Sequence, residues 1–210
     1  MPEVLDKIFG SPARVRIMRL FLMNPGEALT SVLISKSAKI ARQKVGRELN
    51  LLKSIGFIKK GIRETQIIVG RTKRIKRKRE SGFQLNNLFS YNRGFRALLV
   101  ESNSVSREVL IKKFRQLGRG LRFVALCGIF VGDNEFNAKG TDILVVGDNI
   151  RRSKLEKILG QVESEIGKEI KYALFDTKEF RYRRGMFDRF VLDILDNEHD
   201  VLMDSLGAEV

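Results

Sequence analysis

The 210-residue sequence contains one cysteine, Cys127, and one histidine, His199. A single cysteine excludes an intramolecular disulfide framework and a cysteine-rich zinc site, and a single histidine argues against histidine-clustered metals and histidine-based triads. No apolar run approaches the roughly 18 residues that a membrane span needs, and none at the N-terminus is typical of a signal peptide. Apolar residues nevertheless make up 43% of the chain, enough for a packed core. We expect a protein of a reducing, cytoplasmic compartment, with no bound metal or cofactor and no contact with a membrane.

Charge is the strongest signal in the composition, because the net charge is +15 and one half carries all of the excess. Residues 1–100 hold 22 basic and 6 acidic residues, whereas residues 101–210 hold 18 basic and 19 acidic. Such asymmetry predicts a polyanion-binding half joined to a neutral half, and nucleic acid is the favoured polyanion.

The N-terminal half has helical periodicity followed by strand signals. Ser11 and Pro12 are typical of a helix start, Asn24-Pro25-Gly26 of a helix stop, and Gly56 of a C-terminal cap. The predicted elements are a helix over 12–23, a short helix from about Thr30, a helix over 41–54, strands over 57–63 and 73–83, and a helix over about 92–100.

This order resembles the winged helix-turn-helix domain of bacterial and archaeal transcription regulators. The residues that carry the resemblance are Leu29, Thr30, Ile34, Ala38, Ile40, Val45, Leu49, Leu52 and the Gly56-Phe57-Ile58 run; Ala41 departs from the Ser or Thr cap usual there. The resemblance implies that helix 41–54 enters the major groove of duplex DNA. Arginine can pair with guanine, and glutamine or asparagine with adenine. The candidate DNA-reading residues are Arg42, Gln43, Lys44, Arg47 and Asn50, and Gly46 shares their face.

The predicted hairpin, or wing, after this helix is strongly basic. Seven basic residues occur in nine positions: Arg71, Lys73, Arg74, Lys76, Arg77, Lys78 and Arg79. We interpret them as contacts to phosphates beside the 41–54 helix, which position a protein without reading sequence. The alternative is a solvated basic edge strand. Ile67, Ile68 and Val69 either extend the hairpin or support a dimer.

The C-terminal half is predicted to be a small α/β unit with a mixed sheet. The predicted elements are helices over 106–118, 152–166 and 187–195, strands over 123–130, 141–147 and 169–175, and a final strand at 201–203. Cys127 is interpreted as a buried hydrophobe, His199 as a surface or capping residue, and the phenylalanines Phe175, Phe180, Phe187 and Phe190 as core. The predicted domains are 1–90 and 105–210, with a linker helix and boundary over 91–104.

The element order over roughly 106–204 resembles the minimal members of the nucleotidyltransferase fold. The resemblance rests on Gly128, where active members have Gly-Ser and this chain has Ile129, and on Asp142. Active members place two carboxylates, one residue apart, where they share divalent metals. Here Asp142 has either Gly140 or Leu144 at the partner position, and we prefer Gly140; the third carboxylate position is Lys171.

One carboxylate cannot hold two metals, so the resemblance implies a vestigial nucleotide site at Gly128 and Asp142 and a domain without transferase activity. Asp133, Glu135 and Asp148 could form a substitute site, but we interpret them as solvated loop acids.

The sequence thus predicts an α+β protein with an N-terminal winged helix-turn-helix domain and a small nucleotidyltransferase-like domain. The expected function is that of a DNA-binding transcription regulator that is not an enzyme, acts as a homodimer on double-stranded DNA, and uses its C-terminal domain for regulation, for dimerisation or to sense an unknown small-molecule or protein effector. The alternatives are a nucleotidyltransferase targeted by a basic nucleic-acid-binding domain, and an RNA-binding protein.

Overall fold

Helices and two small β-sheets account for most of residues 2–69, 74–101, 105–131 and 140–207, which are the residues that the structure, a computed structural model, describes. The fold is therefore mixed α+β, as the sequence predicts. The chain divides into two units. The first comprises Met1–Val105 with Gln161–Lys168, and the second Ser106–Gly160 with Glu169–Val210.

The first unit begins with four helices and continues into a long hairpin. Its elements are α1 (Pro2–Ile8), α2 (Pro12–Met23), α3 (Ser31–Ala38), α4 (Arg42–Ser54), β1 (Ile58–Val69), β2 (Arg74–Leu85), α5 (Asn92–Arg96) and a π-helical turn (Ala97–Glu101). The hydroxyls of Ser11 and Thr30 accept hydrogen bonds from the N–H groups of Arg14 and Leu33, so the predicted N-cap Ser11 is confirmed and Thr30 caps α3. Ala41 provides no side-chain cap for α4.

The hairpin β1–β2 is paired over its full described length. Ile58 lies opposite Leu85 and Val69 opposite Arg74, in an unbroken antiparallel register. Ile67, Ile68 and Val69 thus extend the hairpin, which answers one of the questions that the sequence leaves open. Leu29 adds a bridge to β2 at Phe83, with N–O distances of 2.7 and 2.9 Å.

A glycine permits this bridge. A Cβ atom at Gly82 would lie 2.7 Å from the carbonyl oxygen of Leu29, so a larger residue there would push the hairpin away from the bridge. The base of the hairpin is thereby fixed to the unit's core, in which Phe57, Ile58 and Leu85 are buried.

A buried arginine ties residues 161–168 into the first unit. The Arg19 guanidinium donates to the carbonyl oxygens of Leu99 (2.8 Å) and Glu165 (3.1 Å), and burial lowers its pKa. Gly167 packs so closely that a Cβ there would lie 2.6 Å from the Leu20 nitrogen, and its φ is +85°. Asn24 Nδ2 donates to the Gly167 carbonyl oxygen at 2.8 Å.

The second unit has a four-stranded mixed sheet in the order β5-β4-β3-β6. Its elements are α6 (Arg107–Arg115), β3 (Leu121–Leu126), a 3-10 turn (Gly128–Phe130), β4 (Ile143–Gly147), residues 152–160 of α7 (Arg152–Ile166), β5 (Tyr172–Phe175), α8 (Thr177–Gly185), α9 (Arg189–Leu195) and β6 (Asp200–Asp204). β3 is antiparallel to β4 and β6, whereas β4 and β5 are parallel. All five residues of β4 are buried, as a continuous apolar run predicts.

Several predictions for this unit need correction. The strand expected over 123–130 ends at Leu126, because Gly128 takes a φ of +51° and starts the 3-10 turn. The sequence does not predict helix α8. Most of its residues are charged or polar and Phe180 is its buried residue, so the segment lacks the apolar periodicity that indicates a helix. The prediction that Phe187 lies in the core is wrong, because its side chain is 78% exposed, whereas Phe175 and Phe190 do pack against the core.

Within the described ranges, no helix combines the length and apolar character needed to cross a membrane.

Candidate nucleic-acid interface

Helix α4 has one buried face and one exposed face. Val45, Leu49 and Leu52 are at most 2% exposed and pack in the first unit's core, at the i, i+4, i+7 spacing that the sequence shows. The opposite side is exposed and mostly polar, apart from Leu51, which is 38% exposed, and it holds all the candidates named for this helix: Arg42, Gln43, Lys44, Arg47 and Asn50, with Gly46 among them.

The helix also contains one acid, Glu48, which is buried rather than exposed. Arg14 of α2 donates from Nε to Glu48 Oε2 at 2.8 Å, and its Nη1 donates to the carbonyl oxygen of Phe9 at 2.6 Å. Burial of a carboxylate is tolerated when a charged donor of this kind satisfies it. The acid is therefore removed from the exposed face, which carries only positive charge.

The exposed side chains of this face are free to bind a partner. Arg42, Gln43, Lys44, Arg47 and Asn50 make no side-chain hydrogen bond or ion pair with any other residue that the structure describes. Their donors are available to the guanine and adenine edges or to phosphate oxygens.

The hairpin after α4 is long enough to reach well beyond the core. Twelve residues in each strand span about 40 Å at the usual strand rise. Ile62 is 67% exposed, and Lys59 and Lys60 are also exposed near the base. The hairpin thus presents a narrow charged projection of the kind that follows a groove or a backbone.

Ion pairs partly offset the charge of the hairpin. Arg79 pairs with Glu64 on the opposite strand at 2.8 Å, and Lys78 pairs with Glu80 at 2.9 Å. All four side chains are more than a third exposed, so each pair contributes little to stability and can exchange for another anion. The backbone of Arg74, Lys76 and Arg77 lies in β2, and Arg71 and Lys73 fall outside the described residues.

In the second unit the Asp142 carboxylate is only 6% exposed and is held by the backbone. Its Oδ1 accepts from the Ile129 N–H at 3.3 Å, and its Oδ2 accepts from the Lys171 N–H at 2.8 Å. The backbone of Asp142 also bonds to Cys127 and Lys171. Asp142 therefore joins the end of β3 and the start of β5 to the start of β4.

The structure brings together the positions on which the sequence resemblance to the nucleotidyltransferase fold rests. Asp142 bonds to the residues at positions 129 and 171, and Gly140 lies beside the Lys171 ammonium. A single carboxylate, with Gly140 and Lys171 at the other positions, does not supply the ligands that a pair of divalent metals needs. Among the described residues no three His, Cys, Asp or Glu side chains form a metal-binding group, and Asp133 and Glu135 lie outside those residues.

Asp148, the third acid considered for a substitute site, caps a helix-proximal turn instead. It accepts from the backbone N–H of Thr177 at 3.1 Å and from its hydroxyl at 2.9 Å, and Arg122 lies 3.8 Å away. The hydrogen bonds from Thr177 hold the pKa of the Asp148 carboxyl below its ordinary value.

Cys127 and His199 have the structural roles that the sequence indicates. Cys127 is buried, and desolvation, aided by the Asp142 charge, raises the pKa of its thiol to about 12, so it stays protonated and unreactive. His199 Nδ1 lies 2.8 Å from the carbonyl oxygen of Asn197 near the start of β6.

Sequence reasoning missed an exposed aromatic surface between α8 and α9. Tyr182, Met186 and Phe187 are 67%, 65% and 78% exposed. The signal was present in the run Arg181-Tyr-Arg-Arg-Gly185, because a glycine after clustered basic residues is typical of a helix end and places the following residues in a turn.

Comparison of the chain with protein-family models, with curated proteins and with solved structures gave no match.

Proposed function

We propose that the protein is a DNA-binding transcription regulator, in which α4 reads base edges in the major groove and the hairpin β1–β2 contacts phosphates. The observation that carries the proposal is the burial of Glu48 against Arg14, which leaves the exposed face of α4 with arginine, lysine, glutamine and asparagine but no acid. Those side chains match the donors that recognise guanine and adenine.

The order of elements in the first unit supports this proposal. α2, α3 and α4 precede a two-stranded hairpin, and Leu29 adds a single β-bridge at the hairpin's base. This order resembles a winged helix-turn-helix domain, whose recognition helix enters the major groove. We further propose that the protein acts as a homodimer on double-stranded DNA. A two-fold dimer would present two copies of α4 to the two half-sites of a palindromic sequence.

In this proposal the second unit regulates or assembles the protein and transfers no nucleotide. Its support is that Asp142 has a glycine and a lysine, Gly140 and Lys171, where a two-metal site needs further carboxylates, and that both of its oxygens accept backbone N–H groups. Incubation with labelled nucleotides and Mg²⁺ tests this directly. If the wild type transfers a nucleotide to any target and Asp142→Ala does not, the second unit is an enzyme and this part of the proposal is wrong.

The test of DNA recognition is selection of random duplex DNA by the full chain, with the salt dependence measured on the enriched sequences. We expect an enriched two-fold motif. The variant Lys78→Ala/Arg79→Ala should weaken binding to all sequences and reduce the salt slope by about 0.9 for each phosphate that is no longer neutralised. Competition with structured RNA separates the alternatives, since preference for RNA over every duplex would contradict the proposal.

A further inference from the structure

The turn between α8 and α9 exposes three large apolar side chains within six residues. Tyr182, Met186 and Phe187 are each about two-thirds exposed or more. Single exposed apolar residues are normal on protein surfaces, whereas a cluster marks a binding surface.

The turn holds these side chains on a fixed backbone. The N–H of Phe187 donates to the Arg184 carbonyl oxygen at 3.2 Å, and the N–H of Asp188 donates to the Arg183 carbonyl oxygen at 2.9 Å. These two bonds form a Schellman motif at the end of α8. Asp188 Oδ1 then accepts from the N–H groups of Phe190 and Val191 and starts α9. Because both helix ends are capped, the exposed side chains are presented on a rigid turn.

Phe187 occupies the position in this motif that usually holds glycine. Its φ is +54°, in the left-handed region that a bulky side chain disfavours. A glycine would relieve the strain, and burial does not explain the ring, since most of it is exposed. A strained, exposed aromatic residue is more typical of a binding site than of a structural position.

The surface around the rings is positively charged. Residues 177–189 contain five basic and two acidic residues, whereas the rest of residues 101–210 holds 13 basic and 17 acidic. Both acids pair with Arg183, whose guanidinium also lies 4.9 Å from the centre of the Phe175 ring. Lys178 and Arg181 are exposed and share a face of α8 with Tyr182, at i, i+3 and i+4, and Met186 directly follows the helix.

The charge and the rings together identify the class of partner. A second copy of the same surface would bring like charges together across a two-fold axis, so self-association is disfavoured. Unpaired nucleotides supply both a phosphate for each cation and a base face for each ring, whereas duplex DNA keeps its base faces stacked inside. We infer that the surface formed by Lys178, Arg181, Tyr182, Met186 and Phe187 binds a single-stranded nucleic acid by stacking unpaired bases.

The experiment compares two probes that carry equal charge. Fluorescence anisotropy of the full chain is measured with an oligothymidylate of about 12 nucleotides and with an abasic strand of the same length. The wild type should bind the oligothymidylate about tenfold more tightly, as stacking of one or two bases provides. An oligouridylate of equal length distinguishes DNA from RNA as the source of the strand.

The variant Phe187→Gly removes the ring and relieves the strained backbone, so it should unfold no more easily than the wild type. We expect its preference for the oligothymidylate over the abasic strand to fall to about twofold or less, because one stacking partner is removed. The control Leu88→Ala alters a side chain that is 89% exposed in the first unit and should leave the preference unchanged. Photocrosslinking to a 5-bromouracil strand should label a peptide that contains Tyr182.

Three results would overturn this inference. The first is an unchanged base preference in Phe187→Gly. The second is binding of the wild type, but not Phe187→Gly, to phosphatidylglycerol vesicles without any base preference, which would identify a lipid surface. The third is wild-type self-association that Phe187→Gly abolishes, which would identify a second copy. Duplex selection by α4 is read separately, since Arg47→Ala should leave the preference for unpaired bases intact.

Discussion

Glu48 in the first unit and Asp142 in the second are both buried carboxylates, but different partners satisfy them. Glu48 receives a hydrogen bond from the Arg14 guanidinium, a side chain from a neighbouring helix. Asp142 accepts hydrogen bonds from two backbone N–H groups, those of Ile129 and Lys171, and not from a charged side chain that the structure describes.

The difference shows that burial of an acid can have two unrelated structural consequences. Burial of Glu48 clears the exposed face of α4 for a polyanion, so a residue inside the core sets the charge of a surface. Burial of Asp142 instead uses a carboxylate to connect the end of β3 with the starts of β4 and β5. The first arrangement favours binding and the second favours structure.

The largest effect is expected for Asp142→Ala. Two buried N–H groups lose their acceptor, which should lower the free energy of unfolding by about 2–5 kcal/mol. Denaturant unfolding of the full chain measures the loss, and Asp196→Ala, at an exposed site, is the control. A stability close to wild type, or a Mg²⁺ dependence that disappears in the variant, would mean that Asp142 has a metal-binding role.

The next largest effect concerns Arg47. Arg47→Ala should weaken binding to the selected duplex by about 1–3 kcal/mol and relax preference at one base pair, because the variant can no longer donate two hydrogen bonds to guanine. Binding to the enriched duplex and to its single-base variants provides the measurement. Arg93→Ala, an exposed arginine of α5, is the matched control. Equal losses on all sequences would assign Arg47 to phosphate instead.

Two variants of α4 test whether an acid on its exposed face, rather than on its buried face, weakens duplex binding. Glu48→Gln should cost about 1 kcal/mol of stability, since Arg14 keeps a weaker, neutral acceptor, and should leave duplex affinity unchanged. Gly46→Glu has open space at its Cβ and should fold normally, but an acid on the exposed face should weaken binding to every duplex by about 1 kcal/mol. If Gly46→Glu bound DNA like the wild type, the exposed face of α4 would not be the interface.

The smallest effect is a pH dependence from Asp148. Because its folded pKa lies below its unfolded value, its bonds to Thr177 stabilise the protein fully above the unfolded pKa. That contribution is lost as the pH falls through the folded pKa. Thr177→Val should therefore lower stability at neutral pH and make the loss of stability shallower as the pH falls below the unfolded pKa. If the free energy of unfolding fell with pH by the same amount in Thr177→Val as in the wild type, this role of Thr177 would be contradicted.

Local signals predicted α2 and α7 with the observed bounds, and the inner stripe of α4, because a cap or a regular apolar spacing fixes a helix without help from distant residues. The inward position of Glu48 could not be predicted, since it depends on Arg14 of another helix. The assignment of residues 161–168 to the first unit could not be predicted either, because it depends on hydrogen bonds between residues far apart in sequence.

The phenylalanine pattern of the C-terminal half was the clearest failure. Phe180 is buried but Phe187 is not, because α8 ends at Gly185 and the chain turns before α9. Periodicity across an unrecognised turn cannot assign a face.

The most direct test of the central claim places a probe on α4 itself. Cys127 is buried and its thiol stays protonated, so Gly46→Cys introduces a cysteine that can be labelled selectively with a DNA-cleaving iron chelate. The labelled protein should cleave the enriched duplex within the selected motif, while a label at Asp196→Cys should not. Absence of cleavage from Gly46→Cys on a duplex that the protein binds tightly would show that α4 does not lie in the groove.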